Sequence, residues 1–288
     1  NTKSELVPSG IIATNINNRS REAKKLLQFT PKRLFFNQEQ LSIYNQLRNI
    51  YYQENKNIQA FPTTGNRKLI CILIGYTDKP FVKTQVEFNN LFNQIGYSAN
   101  GATGSVKDYY LENSYGQFNL TVDVAGPYVA SQNMAYYGAN DANGNDVRPR
   151  ELVLEAINLA DPHVNFAQYD NDGDGKVDGI YIIYAGYGEE AGGGANTIWA
   201  HAWDLSTAVI KDGVSLQRYS CSAELRGSSG TNVTNIGVIC HEFGHVLGAP
   251  DYYDTNGSTG GSFTGTGNWD MMASGSWNNG GATPAHHN

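Results

Sequence analysis

Five segments of the chain carry the hydrophobic pattern of β-strands. A nearly continuous apolar run, KLICILIGY at 68–76, is typical of a central strand that is buried on both faces. FNLTVDVAG at 118–126 alternates apolar and polar residues, as expected for a strand with one covered face. Three further strands are predicted at GIYIIYAGYG (179–188), TIWAHAWDL (197–205) and VSLQRYSCSAEL (214–225).

Three segments have the features of helices, two of them between these strands and one after the last strand. Residues 83–95 form the first predicted helix, and residues 149–160 form the second, with Pro149 suited to its first turn. The third, at about 232–247, has apolar residues around a polar motif and Thr234 or Asn235 as its N-cap. Strands that alternate with helices indicate an α/β domain from Lys68 onwards.

The first part of the chain departs from this pattern. Residues 18–57 are rich in Lys, Arg, Gln, Asn and Leu, and their apolar spacing predicts helical pieces broken near Pro31. FPTTGNRK at 61–68 contains Pro, Gly and the basic pair Arg67–Lys68, which predicts a linker open to proteolysis. Residues 1–66 carry a net charge of +5 and the remainder −12, so the two parts should attract each other.

The composition is that of a globular protein. With 288 residues, 40% of them hydrophobic and 16% charged, the chain can bury the core of one main domain plus an appendage. No apolar run is long enough to span a membrane. The first residues, NTKSELVPSG, lack the apolar region of a signal peptide, so the numbering is expected to begin after processing. The 32 Gly and 18 Tyr suit an extracellular protein.

The run HEFGHVLGAPD, which starts at His241, carries the strongest chemical signal. On a helix, His241 and His245 lie four residues apart on one face, so both imidazoles can bind a single zinc ion. Glu242 then points into the adjacent cleft. Gly248 stands where the chain must leave the helix with positive φ, and Asp251 follows as an oxygen ligand. Three protein ligands leave a fourth position for water.

The identity of the third ligand rests on spacing. No Glu follows Glu242, which excludes an arrangement with a downstream glutamate. The spacing favours Asp251, while Asp270 and His201 remain as alternatives.

HEFGHVLGAPDYYDT, followed by NWDMMASGSWNN, resembles the immune inhibitor A family of secreted bacterial zinc peptidases, relatives of the metzincins with Asp as the third zinc ligand. The resemblance implies a Met-turn under the zinc, with Met272 at the matching place. Met271 is the alternative, and ordinary core packing would explain either residue. The family's catalytic domain usually continues further, so the domain at 67–288 is expected to be truncated at its C-terminal end.

The fold class implied by the resemblance is α/β, of the α+β zincin type. A twisted mixed sheet is backed by helices, with an active-site helix and a Met-turn, and a mainly helical N-terminal pro-segment precedes it. Residues 1–66 thus resemble a propeptide that inhibits its own chain, the alternative being a permanently attached subdomain. The segment contains neither Cys nor Asp, which leaves its glutamates or steric occlusion as the source of latency, and cleavage at Arg67–Lys68 as the activating step.

DNDGDGKVDG at 170–179 resembles the calcium loop of an EF-hand. Its potential ligands at loop positions 1, 3, 5, 7 and 9 are Asp170, Asp172, Asp174, the Lys176 carbonyl and Asp178. Four close carboxylates repel one another unless a cation lies among them. Position 12 is Tyr181 rather than Glu, and a strand follows instead of a helix, so a structural Ca²⁺ site is predicted, with a solvated acidic turn as the alternative.

Three cysteines do not determine the redox compartment. Cys221 and Cys240 are candidates for a disulfide between neighbouring elements, which would leave Cys71 in the first strand of the domain. Two buried thiols are the alternative.

These observations predict a secreted zinc endopeptidase that is made as a latent zymogen. Glu242 is the general base in this reading, protein or peptide chains are the substrates, and no nucleic acid or membrane span is involved. The competing hypothesis is a catalytically silent zinc- and calcium-binding adhesion or scaffold domain.

Overall fold

The computed structural model describes residues 20–21, 61–255 and 263–287. The chain divides into two compact units, 1–59 and 60–288. Most of the predicted pro-segment, with its expected helical pieces, therefore lies outside the described residues. No helix among the described residues is long and apolar enough to cross a membrane.

A five-stranded mixed sheet forms the centre of the second unit, in the order β2-β1-β3-β5-β4. Parallel pairing joins β1 to β2, β1 to β3 and β3 to β5, while β4 pairs with β5 in the antiparallel sense and forms an edge. The mixed α/β architecture predicted from the sequence is confirmed. The strands are β1 Gly65–Gly75, β2 Phe118–Val129, β3 Ile180–Tyr187, β4 His201–Lys211 and β5 Val214–Leu225.

Five α-helices accompany this sheet within the described residues. They are α1 Gln85–Asn93, α2 Val106–Asn113, α3 Met134–Gly138, α4 Pro149–Ala160 and α5 Ile236–Val246. The predicted helix at 149–160 is confirmed with the same bounds, and α1 and α5 lie inside their predicted ranges. Helices α2 and α3 were not predicted, since they have only eight and five residues and show no clear amphipathic period.

The two faces of the sheet bury two different apolar clusters. Because side chains alternate along a strand, Leu69, Cys71 and Leu73 of β1 face one cluster, and Ile70, Ile72 and Ile74 face the other. Helices α1, α2 and α5 cover the first face, whereas α4 covers the second. The helix that carries the HEFGH motif is therefore packed on a central sheet, which holds its backbone in place.

The linker predicted at 61–68 is wrong. Phe61 is buried in the core, with its ring centroid 5.1 Å from that of Phe243, and β1 begins at Gly65. Arg67 and Lys68, the expected cleavage site, are residues of this strand. The Lys68 N–H donates to Asn171 Oδ1 at 2.7 Å, and Arg67 Nη1 donates to the Asn171 carbonyl at 3.2 Å. Cleavage between them would cut a paired central strand.

The expected disulfide between Cys221 and Cys240 is also wrong, because all three cysteines are free. Cys221 belongs to β5 and packs in the cluster under α4, whereas Cys240 belongs to α5 and packs in the cluster on the opposite face. The sheet thus separates the two thiols. Burial raises the pKa of each, together with that of Cys71, so all three are protonated, unreactive core residues.

A buried carboxylate ties two loops to the end of the sheet. Glu224 of β5 is fully buried and accepts hydrogen bonds from the N–H groups of Val82 at 2.7 Å, Lys83 at 2.5 Å and Gly186 at 3.1 Å. Although burial raises the pKa of Glu224, these three donors and the Lys83 charge favour its ionised form. The segment that leads into α1 is therefore held against β3 and β5.

Replacing Glu224 with Gln is expected to lower the free energy of unfolding by about 2 kcal/mol. A glutamine offers one acceptor oxygen, and its amide nitrogen would meet N–H donors, so at least one buried donor loses its partner. The measurement is urea unfolding followed by circular dichroism. Glu112→Gln, at a side chain that is 68% exposed, is the matched control and should leave the midpoint unchanged. Equal midpoints for the two variants would contradict this account of Glu224.

Candidate metal centre and active-site cleft

Helix α5 presents its apolar side to the core and its polar side to a cleft. Ile239, Phe243 and Val246 are buried in the core cluster, whereas His241 and His245 are only partly buried. At the end of the helix, Gly248 adopts φ +94°, and its N–H donates to the His245 carbonyl at 3.0 Å. This left-handed turn, which the sequence predicted, reverses the chain.

The reversal brings a carboxylate back to the two imidazoles. Asp251 Oδ1 lies 3.3 Å from His241 Nε2 and 3.4 Å from His245 Nε2, and the three potential ligand atoms all lie within 4.8 Å of one another. Two ligand atoms about 2.0–2.1 Å from a tetrahedral zinc ion are themselves about 3.3 Å apart. The three side chains therefore have the spacing of a zinc site.

The polar atoms of this site also lack the partners that a cation would supply. Asp251 Oδ1 is buried and accepts no hydrogen bond in the described part of the chain. The two imidazoles hold the pKa of Asp251 well below its ordinary value, although burial alone would raise it. Burial opposes the charged form of His241 as well, yet Asp251, Glu242 and the Met271 carbonyl raise its pKa to about 9. A divalent cation fits this arrangement of donors.

Backbone carbonyls orient both imidazole rings. His241 Nδ1 lies 2.9 Å from the Met271 carbonyl, and His245 Nδ1 lies 2.8 Å from the Ala249 carbonyl. A carbonyl can only accept, so each Nδ1 carries the proton, and each Nε2 keeps its lone pair toward Asp251 when the ring is neutral. Such hydrogen bonds determine the tautomer of metal-binding histidines.

Glu242 lies beside the three potential ligands and points into the same cleft. Its side chain is buried, and burial raises the pKa of Glu242 to about 7, although the two imidazoles act in the opposite direction. The cleft has a volume of about 410 Å³, with Trp199, Trp203 and Trp277 among its lining residues. A carboxyl with a pKa near neutrality can both accept and release a proton at physiological pH.

Met272, the residue that the family resemblance implies for a Met-turn, packs against helix α5. It is fully buried, and its thioether lies against Gly244, at a point where any side chain on Gly244 would collide with it. The Met272 carbonyl accepts a hydrogen bond from the Tyr252 N–H at 2.8 Å. The segment after Asp251 is thereby tied to Met272. Met271 contributes its carbonyl to His241.

The two alternative third ligands lie outside the three-residue group. Asp270 is fully buried, and its Oδ1 accepts the Met272 N–H at 2.7 Å. His201 lines the cleft, but its Nδ1 lies 2.7 Å from the Trp199 carbonyl and its Nε2 lies 2.8 Å from the Tyr219 hydroxyl. Asp270 thus stabilises the turn at Met272, and His201 stabilises the cleft-lining segment that contains Trp199.

The predicted calcium loop brings three of its carboxylates together. Asp170, Asp172 and Asp174 each offer an oxygen within 4.8 Å of the others. Asp178 lies outside this group. Its Oδ2 accepts the Asn171 N–H at 2.7 Å, and its Oδ1 is buried with no hydrogen-bond partner among the residues that the structure describes. The Lys176 ammonium lies 3.4 Å from Asp174 Oδ2. The expected strand follows directly, as β3.

Glu190 is a cleft residue that the sequence analysis missed. It follows β3 in a short 3₁₀ turn, Glu189–Ala191, and lines the same cleft as Glu242. Its charge contributes to the raised pKa of Glu242. No sequence signal marks Glu190, because about fifty residues separate it from the HEFGH motif and only the order of strands brings the two together.

Several known metallopeptidases are similar to this chain in sequence. The sequence model of the catalytic domain of immune inhibitor A peptidases, M6, matches residues 83–287. Pre-pro-metalloprotease PrtV of Vibrio cholerae serotype O1 (strain M66-2) is 36% identical over 219 residues, which cover 65% of this chain and 23% of PrtV. Immune inhibitor A of Bacillus thuringiensis subsp. alesti is 32% identical over 206 residues, which cover 59% of this chain and 28% of that protein.

The matched regions thus span about a quarter of the length of these curated relatives. The family match, in contrast, covers most of the present chain and contains every residue of the cleft described above. The chain belongs to the immune inhibitor A family of M6 metallopeptidases.

Proposed function

We propose that this chain is a zinc-dependent endopeptidase of the zincin type, with His241, His245 and Asp251 as the metal ligands. The observation that carries the proposal is Asp251 Oδ1. This buried carboxylate oxygen accepts no hydrogen bond from the described residues and lies 3.3 and 3.4 Å from the two histidine Nε2 atoms. A buried charge in this situation is costly unless a cation satisfies it.

When bound, a zinc ion would supply a Lewis acid that polarises both water and the scissile carbonyl. Glu242 accepts the proton of the attacking water, since its carboxylate lies in the same cleft and is shielded from bulk solvent. The same group then delivers that proton to the leaving amine. Backbone carbonyls hold His241 and His245 in the ligating tautomer, and Met272 supports the helix from below.

A peptide substrate suits the shape of the cleft. Residues 201–203 of the edge strand β4 line it, and so do the exposed indole rings of Trp199 and Trp277. The competing hypothesis, a silent metal-binding scaffold, leaves Glu242 without a purpose, because binding a metal does not require a buried carboxyl beside the ligands. Glu242 therefore favours catalysis.

Glu242→Gln is expected to lower the rate of casein cleavage by about 10²- to 10⁴-fold, because it removes the group that accepts and returns the proton. Zinc content, measured by mass spectrometry of the metal, should remain at the wild-type level. His245→Ala is the companion variant and should lose both zinc and activity. A Glu242→Gln protein that retains wild-type turnover would end the assignment of Glu242 as the base.

We also propose that the protein is secreted and latent until its N-terminal segment is removed. Charge supports latency, because residues 1–66 carry a net charge of +5 and the rest of the chain carries −12.

 Phe61 packs in the core of the second unit, so the removable segment is expected to end before Phe61. Opposite charge favours association of such a segment with the acidic remainder of the chain.

The activating cleavage is expected upstream of Phe61 rather than at Arg67–Lys68, because the latter bond lies inside β1. Limited trypsin digestion with N-terminal sequencing and a casein assay tests this. Turnover should rise as a new N-terminus appears at or before residue 61. The double variant Arg67→Ala, Lys68→Ala is the control and should be activated at the wild-type rate. A rise in turnover that coincides with a new N-terminus at Lys68 would refute the expectation.

We propose that the loop at 170–178 binds a structural calcium ion through Asp170, Asp172 and Asp174, with Asp178 and the Lys176 carbonyl as further candidates. The support is the convergence of three carboxylates and the unpartnered, buried Oδ1 of Asp178. Bound calcium would offset the repulsion among these groups and stabilise the entry to β3.

Removal of calcium with EGTA, under conditions that leave zinc bound, is expected to lower the melting temperature by about 5–10 °C, as for loss of a ligand present at about 100 times its Kd. Differential scanning calorimetry measures the shift. An Asp172→Asn variant should melt at a lower temperature and respond less to EGTA. Identical wild-type melting curves with calcium and with EGTA would exclude a stabilising calcium site.

A further inference from the structure

The charges that line the cleft are unbalanced. Among the described residues, the acidic side chains that line it are Glu190, Glu242 and Asp251. Its histidines are His201 and the two proposed metal ligands, and no Lys or Arg lines it. A divalent cation at the ligand site would balance Glu242 and Asp251. Glu190 has no cation of its own to pair with, so its carboxylate gives this side of the cleft a negative charge.

The carboxylate of Glu190 is held in a defined position. Its Oε2 accepts the Ala200 N–H at 3.0 Å, and the carboxylate lies against Gly188, where any side chain would collide with it. The surrounding loop is closed by hydrogen bonds from the Glu189 N–H to the Ile198 carbonyl at 3.1 Å and from the Gly193 N–H to the Gly188 carbonyl at 2.9 Å. The charge is thus presented by an ordered loop.

No basic side chain of the described residues neutralises this charge. Burial raises the pKa of Glu190, the Ala200 N–H lowers it, and Glu189 raises it further, with no cation among the contributing groups. Arg226 lines an adjoining pocket together with Glu190, but its Nη2 donates to the Asn279 carbonyl at 3.3 Å. A half-buried carboxylate without a counter-ion is unfavourable, and a cation that enters the cleft would relieve it.

The fold itself needs only the acceptor oxygen of Glu190, not its charge. The hydrogen bond from Ala200 could equally be accepted by a glutamine amide. The exposed rings of Trp199 and Trp277 line the same cleft and can pack against an aliphatic side-chain stem. A long side chain with a cationic end matches both features.

We propose that Glu190 is a specificity-determining residue that selects substrates with a Lys or Arg side chain next to the scissile bond. This inference rests on the proposed peptidase function. The ammonium or guanidinium group pairs with the Glu190 carboxylate, and the indole rings contact the methylene stem.

Paired peptides that differ only in Lys or norleucine next to the cleaved bond test the proposal, with the protein in its activated form. We expect kcat/KM to be about 30-fold higher for the Lys peptide, as for a partly buried charge pair, and the ratio to fall towards one in Glu190→Gln. Glu189→Gln is the matched control, because Glu189 is adjacent but does not line the cleft, and it should keep the wild-type ratio. Equal kcat/KM for the two peptides in the wild type, or an unchanged ratio in Glu190→Gln, overturns the proposal.

Binding gives a readout that does not depend on turnover. In the Glu242→Gln background, calorimetry should show tighter binding of the Lys peptide than of the norleucine peptide, and Glu190→Gln should remove the difference. If the wild type cleaves neither peptide but the binding difference is present, the peptidase function fails and the role of Glu190 stands. If both peptides are cleaved and bind equally well, the role of Glu190 fails and the peptidase function stands.

Discussion

The proposed metal site depends on three atoms with lone pairs that must face one point: His241 Nε2, His245 Nε2 and Asp251 Oδ1. Without a cation this arrangement is unfavourable, so the surrounding structure has to hold it. The left-handed turn at Gly248 returns the chain toward the helix, and the Ala249 and Met271 carbonyls orient the two rings. The turn constrains the backbone and the two carbonyls constrain the rings, so the three atoms are held by contacts that do not involve a metal.

Contacts of Met272 explain why the C-terminal part of the described chain packs under α5. The Met272 carbonyl accepts the Tyr252 N–H, and the Met272 thioether fills the space left by Gly244. One residue therefore supports both the helix and the segment that carries Asp251. Buried Asp270 holds the Met272 N–H, so Met272 is itself held in place by a hydrogen bond.

Local patterns predicted what local geometry determines. Helix α5 and its end were predicted from the spacing of His241 and His245 and from Gly248. Helix α4 has the bounds predicted from its sequence. Non-local arrangements were not accessible in this way. The predicted disulfide was wrong because the sequence does not indicate which side of the sheet a strand residue faces. Glu190 was missed because only the order of the strands brings it into the cleft.

The acidic loop at 170–178 is hydrogen-bonded to the first residues of β1. These contacts help to explain why the segment predicted as a linker begins a strand. Strand β3 pairs with β1 only from Ile70 onwards, so Lys68 lacks a strand partner on that side. The Asn171 side chain takes this place: its Oδ1 accepts the Lys68 N–H at 2.7 Å, and its Nδ2 donates to the Lys68 carbonyl at 3.0 Å. Asp178 holds the same amide at 2.9 Å. Ordering of the loop by a cation would therefore stabilise the first residues of the central strand, directly after the point where the two units of the chain divide.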